Sequence, residues 1–288
     1  MKYAFLGTPE FAAQILERLV GAGFPPAALI TNPDRPKGRK KTVTPPPAKQ
    51  SILDQEESIR EQIRVFQPEK IRDIEEALRA EQFDLFIVAA YGGIIPQSVL
   101  SLPRFGTLGI HPSLLPRHRG PTPIQTAILE GDTETGVTLF AIDAKVDHGP
   151  IIDEEALEPY PYDSISYTEL HDALARLGAD MTVRFLSSFD PARMQGTVQD
   201  ETKATHTRKF AGIDAYVDEA YLRDATQGEN PEKAIRIDRM MRALNPEPGV
   251  YTVQDGKRIK LLEGRVKDGA LRLTLIQKEG KKPESLDT

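Results

Sequence analysis

His111 closes the apolar run Thr107–His111 and opens a rigid, Pro-punctuated loop, Pro112-Ser113-Leu114-Leu115-Pro116. A His at such a strand end lies where open parallel sheets bind ligands, beyond the carboxyl ends of their strands. Asp147 follows a second apolar run, residues 137–143, within Asp143-Ala-Lys-Val-Asp147-His148-Gly149-Pro150. A His and an Asp brought by separate strands to one sheet edge form an acid–base pair able to move a proton. Taken alone, His111 would more often be a satisfied structural histidine than a catalyst. His148 beside Asp147 competes with it, although an offset of one residue turns its side chain the other way.

Other residues narrow the chemistry. Gly7-Thr8-Pro9 stands where a dinucleotide-binding fold places Gly-x-Gly-x-x-Gly, but only the first Gly is present. The fingerprint fails, which argues against a nicotinamide enzyme and leaves Gly7 as the turn from strand into helix. No metal is expected, because the chain has no Cys and its five His are scattered without ligand spacing. Arg35, Lys37, Arg39, Lys40 and Lys41 crowd a Pro- and Gly-rich stretch between Pro33 and Pro47. The formal net charge of −6 argues against broad nucleic-acid affinity, so this cluster would be a local anion site or simply a solvated loop.

The elements that must hold these groups alternate. Residues 2–6, 27–31, 64–66 and 84–91 are apolar strand candidates, with helical stripes at Phe11, Ile15, Leu16 and Leu19 and at Ile71, Ile74 and Leu78. Such alternation implies a mainly parallel sheet with right-handed crossovers. Residues 107–111 and 137–143 continue as strands around a helix over 123–130, and Ser166-Tyr-Thr-Glu169 is a capping box opening a long helix. After about Lys209 the texture changes. A helical stripe at Ala234, Ile237, Met241 and Leu244 gives way to Asp255-Gly256 and Asp268-Gly269, which read as hairpin turns. With 39% hydrophobic and 28% charged residues and no apolar run near the ~20 residues that cross a bilayer, a globular cytoplasmic protein is expected.

Phe5-Leu-Gly-Thr-Pro-Glu-Phe-Ala12, Asn32-Pro-Asp-Arg-Pro-Lys-Gly-Arg39, Ala90-Tyr-Gly-Gly-Ile-Ile-Pro96, the His111 to Pro116 run, Pro123-Ile-Gln125, Glu134-Thr-Gly-Val-Thr138 and Val146-Asp-His-Gly-Pro150 follow one another. In that order they resemble successive blocks of the methionyl-tRNA formyltransferase family, over residues 1 to about 210. The resemblance continues more thinly through Gln199-Asp-Glu-Thr202 and Arg242-Ala-Leu-Asn-Pro246. It implies an α/β fold: a Rossmann-like formyltransferase domain with a mainly parallel sheet over residues 1–205. A small β-rich, oligonucleotide-binding-like domain, shortened, would follow over 206–288. It also implies 10-formyltetrahydrofolate as formyl donor and the acceptor arm of initiator methionyl-tRNA as partner; a monomer with no membrane partner is expected.

By the same resemblance the catalytic His falls on His111 and the catalytic Asp on Asp147. Tyr91, Ile94, Ser113, Leu114, Leu115 and Pro116 fall on the folate-binding walls. Arg35, Lys37, Arg39, Lys40 and Lys41 fall on the insertion used against the tRNA acceptor stem. Gly109 departs from the pattern, standing where the family carries an Asn whose carboxamide would donate to the oxyanion. Loss of one such donor costs on the order of 10² to 10³ in turnover. If that loss limits the rate, Gly109→Asn should raise turnover. Two other readings follow: a formyltransferase acting on an amino sugar nucleotide, and a noncatalytic folate- or RNA-binding protein. The basic loop and the Asn245-Pro246 region favour tRNA, and a formyl-transfer assay separates all three.

Overall fold

The computed structural model describes residues 1–38 and 40–286. In chain order its first nine strands are β1 (Tyr3–Gly7), β2 (Ala28–Ile30), β3 (Arg35–Lys37), β4 (Thr42–Thr44), β5 (Arg64–Phe66), β6 (Leu85–Ala89), β7 (Thr107–His111), β8 (Gly136–Ala141) and β9 (Ile151–Ala156). The helices of this stretch are α1 (Glu10–Gly21), α2 (Pro47–Leu53), α3 (Glu57–Arg60), α4 (Glu75–Glu81), α5 (Gln97–Leu100) and α6 (Pro123–Glu130), with α7 (Tyr167–Ser187) following. Seven strands form one sheet in the order β5-β2-β1-β6-β7-β8-β9. The first five run parallel, whereas β8 pairs antiparallel with both β7 and β9.

The continuously apolar strands are those covered on both faces, as crossover helices require. β1 and β7 are buried at every position. Phe11, Ile15, Leu16 and Leu19 of α1 are buried at the spacing that marks one helix face. A separate cluster joins Leu6, Ile30 and Phe86 to Ile71, Leu78 and Val99. The helix expected from the Ile71, Ile74 and Leu78 stripe begins as a tight 3₁₀ turn, Ile71–Ile74, before α4. At the head of α7, Ser166 N donates to Glu169 Oε2 at 2.9 Å and Glu169 N donates to Ser166 Oγ at 3.3 Å, closing the capping box.

The chain divides into two compact units. One comprises Met1–Gly120, Thr135–Glu158 and His171–His206; the other comprises Pro121–Glu134, Pro159–Leu170 and Thr207–Thr288. The second contains α6, α8 (Glu219–Gln227) and α9 (Pro231–Leu244), together with an antiparallel sheet of β10 (Tyr251–Gln254), β11 (Lys257–Lys267), β12 (Ala270–Lys278) and β13 (Glu284–Ser285). Asn230 caps α9 by accepting from Lys233 N, and Ala234, Ile237, Met241 and Leu244 are buried along one stripe. Asp255-Gly256 and Asp268-Gly269 adopt positive φ at both residues, 48° and 73°, then 51° and 77°. These are the left-handed backbones that a tight hairpin between right-twisted strands demands. Among the described residues no helix is long and apolar enough to cross a membrane.

In the second unit Asp214 accepts from Arg208 Nη1 at 2.9 Å and from Ala211 N at 2.8 Å. The guanidinium, followed by the backbone donor, holds its carboxyl at about 2 against an ordinary 3.8. A carboxyl depressed on folding stabilises the fold above its unfolded value and loses that contribution as pH falls through the folded one. Asp214→Asn should therefore lower the thermal midpoint at pH 7, with the gap to the parent chain narrowing as pH falls from about 4 towards 2. Thermal unfolding across pH measures this.

Candidate active site

β7 delivers His111, a residue only 6% exposed. Nε2 lies 2.9 Å from the carbonyl oxygen of His118. A carbonyl can only accept, so Nε2 carries a proton and Nδ1 is the ring's open nitrogen in the neutral state. Nδ1 faces Asp147 Oδ2 at 3.6 Å. The sequence-predicted imidazole and carboxylate are thus neighbours.

Their route to one another differs from the expected one. β8 runs antiparallel to β7, with Leu108 opposite Ala141 and His111 opposite Thr138, so β8 ends beside the start of β7. Residues 142–150 must double back to bring Asp147 to His111. Asp147 itself takes the left-handed backbone conformation, φ 48°. Gly149 packs so close that an added Cβ would sit 1.7 Å from the carbonyl oxygen of Ala141. No side chain fits there, which is why the turn carries Gly at this point.

Three contacts hold Asp147 in this turn. Gly120 N donates to Oδ2 at 2.8 Å, and Gln199 Nε2 donates to the carbonyl oxygens of Asp147 and Gly149 at 3.0 and 2.7 Å. Gln199 Oε1 in turn accepts from Arg119 Nε and Nη2 at 3.1 and 2.7 Å. Arg119 is 2% exposed and also meets both carboxylate oxygens of Glu201, at 2.6 and 3.1 Å. Arg119 holds the Glu201 carboxyl below the usual carboxylate range, with His148 and Lys145 adding to the effect. His148 is turned away from His111's partner and lies 2.6 Å from Asp143 through Nδ1. Gln199, Arg119 and Glu201 carry no local signal of this role, since Arg119 and Gln199 are 80 residues apart.

The loop after His111 is pinned from β8. Thr138 Oγ1 donates to Ser113 O at 2.7 Å and accepts from Leu115 N at 3.0 Å, while Ser113 Oγ donates to Arg117 O. Ser113 and Leu115 are buried, and Leu114 and Pro116 are half-buried. Tyr91 is buried within the sheet's apolar cluster, which pushes its phenol up, and its carbonyl accepts from Thr8 Oγ1. Ile94 is 94% exposed. The basic stretch forms a hairpin of β3 and β4 where a loop is expected. Arg35 pairs with Glu69, and Lys37, Lys40 and Lys41 are exposed. Arg39 lies outside the described residues.

Gly109 sits directly opposite Phe140 across β7 and β8. A Cβ on Gly109 would fall 2.3 and 2.6 Å from Phe140 Cε1 and Cζ, and 3.0 Å from Ile142 Cγ1. The Phe140 ring fills that space and stands edge-on to His111, with centroids 6.5 Å apart.

Comparison with known proteins adds kinship to this geometry. Residues 1–186 match the formyl transferase family, and residues 231–268 match the formyl transferase C-terminal domain. The methionyl-tRNA formyltransferase of Methylococcus capsulatus is 40% identical over 272 residues, which is 94% of this chain and 82% of that protein. Among solved structures, HypX from Aquifex aeolicus in complex with tetrahydrofolic acid aligns with a TM-score of 0.63 at 18% identity, covering 99% of this chain and 46% of HypX. This chain therefore spans just under half the length of HypX. An N-formyltransferase from Helicobacter canadensis, in complex with folinic acid and dTDP-3-aminofucose, aligns with a TM-score of 0.60 at 16% identity over 93% of this chain and 88% of its own. At these identities the two structures speak for the fold alone.

The packing of Phe140 gives Gly109→Asn a steric cost that the sequence does not reveal. A side chain there must displace a buried ring, so the single substitution should cost about 1–3 kcal/mol of stability and lower turnover by disturbing the imidazole. Adding Phe140→Ala to Gly109→Asn should cost less than the two separate effects summed. Denaturant unfolding of the four chains measures this; a fully additive cycle would show that the two positions do not compete for the same space.

Proposed function

The chain belongs to the methionyl-tRNA formyltransferase family, and from that premise we propose that His111 and Asp147 carry its proton transfer, with 10-formyltetrahydrofolate as the donor. The enzyme forms a bond between the methionyl α-amine of the charged tRNA and the formyl carbon. The bond from that carbon to the folate nitrogen breaks, and one proton passes from the amine to the departing nitrogen. His111 Nδ1, the open nitrogen of the ring, takes and returns that proton. The imidazolium formed between these events donates from Nε2 to His118 O and faces the Asp147 carboxylate. In the resting chain the 3.6 Å separation exceeds hydrogen-bond range; catalytic contacts of this kind commonly tighten when substrate is bound.

Asp147 favours the imidazolium through charge and fixes where the proton is received. Gly109 brings no side-chain donor to the developing oxyanion, so within this pair its stabilisation falls to the imidazolium. The donor's flat ring system would lie against the Ser113 to Pro116 loop, whose backbone is set by Thr138, with exposed Ile94 offering apolar cover. Tyr91 is buried in the sheet's apolar cluster. Lys37, Lys40 and Lys41 on the β3–β4 hairpin would neutralise phosphates of the acceptor arm, which orients the RNA without reading bases. Transfer to an amino sugar nucleotide draws only on likeness of fold, whereas the tRNA acceptor draws on 40% identity along nearly the whole chain.

The observation that carries this reading is the approach of His111 Nδ1 to Asp147 Oδ2. In a formyl-transfer assay with methionyl-tRNA, His111→Ala and Asp147→Asn should each lower kcat on the order of 10² to 10⁴ while the chain stays folded. Full activity in either variant would rule out its assigned role. Replacing Lys37, Lys40 and Lys41 together by Ala should raise KM for the tRNA, leave KM for the folate unchanged, and reduce the salt slope by up to about three ion equivalents. An unchanged salt slope would remove the hairpin from RNA binding.

A further inference from the structure

We propose that Gln199 is a positioning residue of the formyl-transfer centre, acting by clamping the turn that presents Asp147. This rests on the reading that Asp147 works with His111.

Gln199 is 5% exposed, and both ends of its amide are committed. Its nitrogen donates to Asp147 O and Gly149 O, and its oxygen accepts twice from Arg119. A primary amide has two N–H donors and an oxygen with two lone pairs, so every position is used. The two carbonyls it holds flank His148, at the point where residues 142–150 must turn back against the direction of β8. Asp147 occupies a left-handed backbone there, a conformation that persists in a non-Gly residue when its surroundings over-determine it. Gln199 supplies that constraint from 52 residues further along the chain.

The same segment grips the other half of the pair. Thr205 O accepts from Arg119 N at 2.9 Å, Thr205 Oγ1 accepts from His118 N at 2.8 Å, and Thr205 N donates to Pro116 O at 3.2 Å. His118 in turn offers the carbonyl that orients His111. Residues 199–205 are thus a strap bonded to both loops, with Arg119 buried between Gln199 and Glu201 as its anchor. Glu201 of the strap also approaches the turn, 3.4 Å from His148 Nε2, but Gln199 bonds the turn's backbone on both sides of His148, which singles it out from residues that merely hold the fold.

Two substitutions separate positioning from bulk stability. Gln199→Met keeps the volume and loses every hydrogen bond. Gln199→Glu keeps an acceptor for Arg119 and places oxygen against the two carbonyls, so it anchors the guanidinium while releasing the turn. Both should lower kcat in single-turnover formyl transfer on the order of 10²-fold, with KM for folate and tRNA changed less than about threefold, and Gln199→Glu should keep a near-parental thermal midpoint. In an Asp147→Asn background the same substitutions should cost less than about threefold more, because the group they position is already gone. Equal losses in both backgrounds, or parental kcat in a folded Gln199 variant, would overturn the assignment. Parental activity of Asp147→Asn alone would instead overturn the underlying acid–base reading, and the inference would fall with it.

Discussion

A guanidinium out of water must be matched nearly donor for donor, and the centre of this protein depends on that requirement being met at Arg119. An isolated buried cation costs several kcal/mol even after relaxation, and removing one partner of a buried pair exposes that penalty. Arg119 meets it with the Gln199 amide and the Glu201 carboxylate, both from one late segment of the chain. Satisfying the cation therefore draws that segment across the loops that follow β7 and β8. The imidazole and carboxylate meet because the polar needs of a neighbouring side chain allow few other arrangements.

Strand direction gives this its importance. In an all-parallel sheet, successive strands deliver their following loops to one edge without further help. Here the sheet changes sense at β8, so the loop bearing Asp147 begins at the wrong end. Its return is enforced by a glycine with no room for a side chain, a left-handed Asp, and hydrogen bonds to both sides of the turn. These local costs recur where backbone shape is used to place a reacting group.

His111 and Asp147 were legible in the sequence because each follows an apolar run, and because turn and cap chemistry is local. The Ser166–Glu169 box and the two Asp-Gly turns appear where the residues imply. The antiparallel sense of β8 was not legible, since an apolar strand buried on both faces reads alike in either direction. Strand β9, rich in acids, has no apolar alternation to betray it, and the β3–β4 ribbon hides in a stretch whose Pro and Gly content reads as loop. Gln199 opens one of the family-like blocks, but its positioning role is not legible there. Its significance arises only when residues dozens of positions apart come together. Gly109 illustrates the same limit: the missing side chain is visible in the chain, but the Phe140 ring that takes its volume is visible only across the strand pair.

The base of the β3–β4 ribbon is knotted. Lys49 Nζ reaches both Asp34 carboxylate oxygens, at 2.9 and 2.8 Å, and Gln67 Oε1 at 2.7 Å, while Gln67 Nε2 returns to Asp34 and to Asn32 O. Two strands alone are marginally stable in water. Tied at the root, the ribbon gives up part of its freedom during folding, so under the proposed function an incoming polyanion would meet ammonium groups whose travel is already restricted. Less disorder would then remain to be lost on the proposed association, and under that proposal the knot at Asp34 would contribute to affinity from outside the contact.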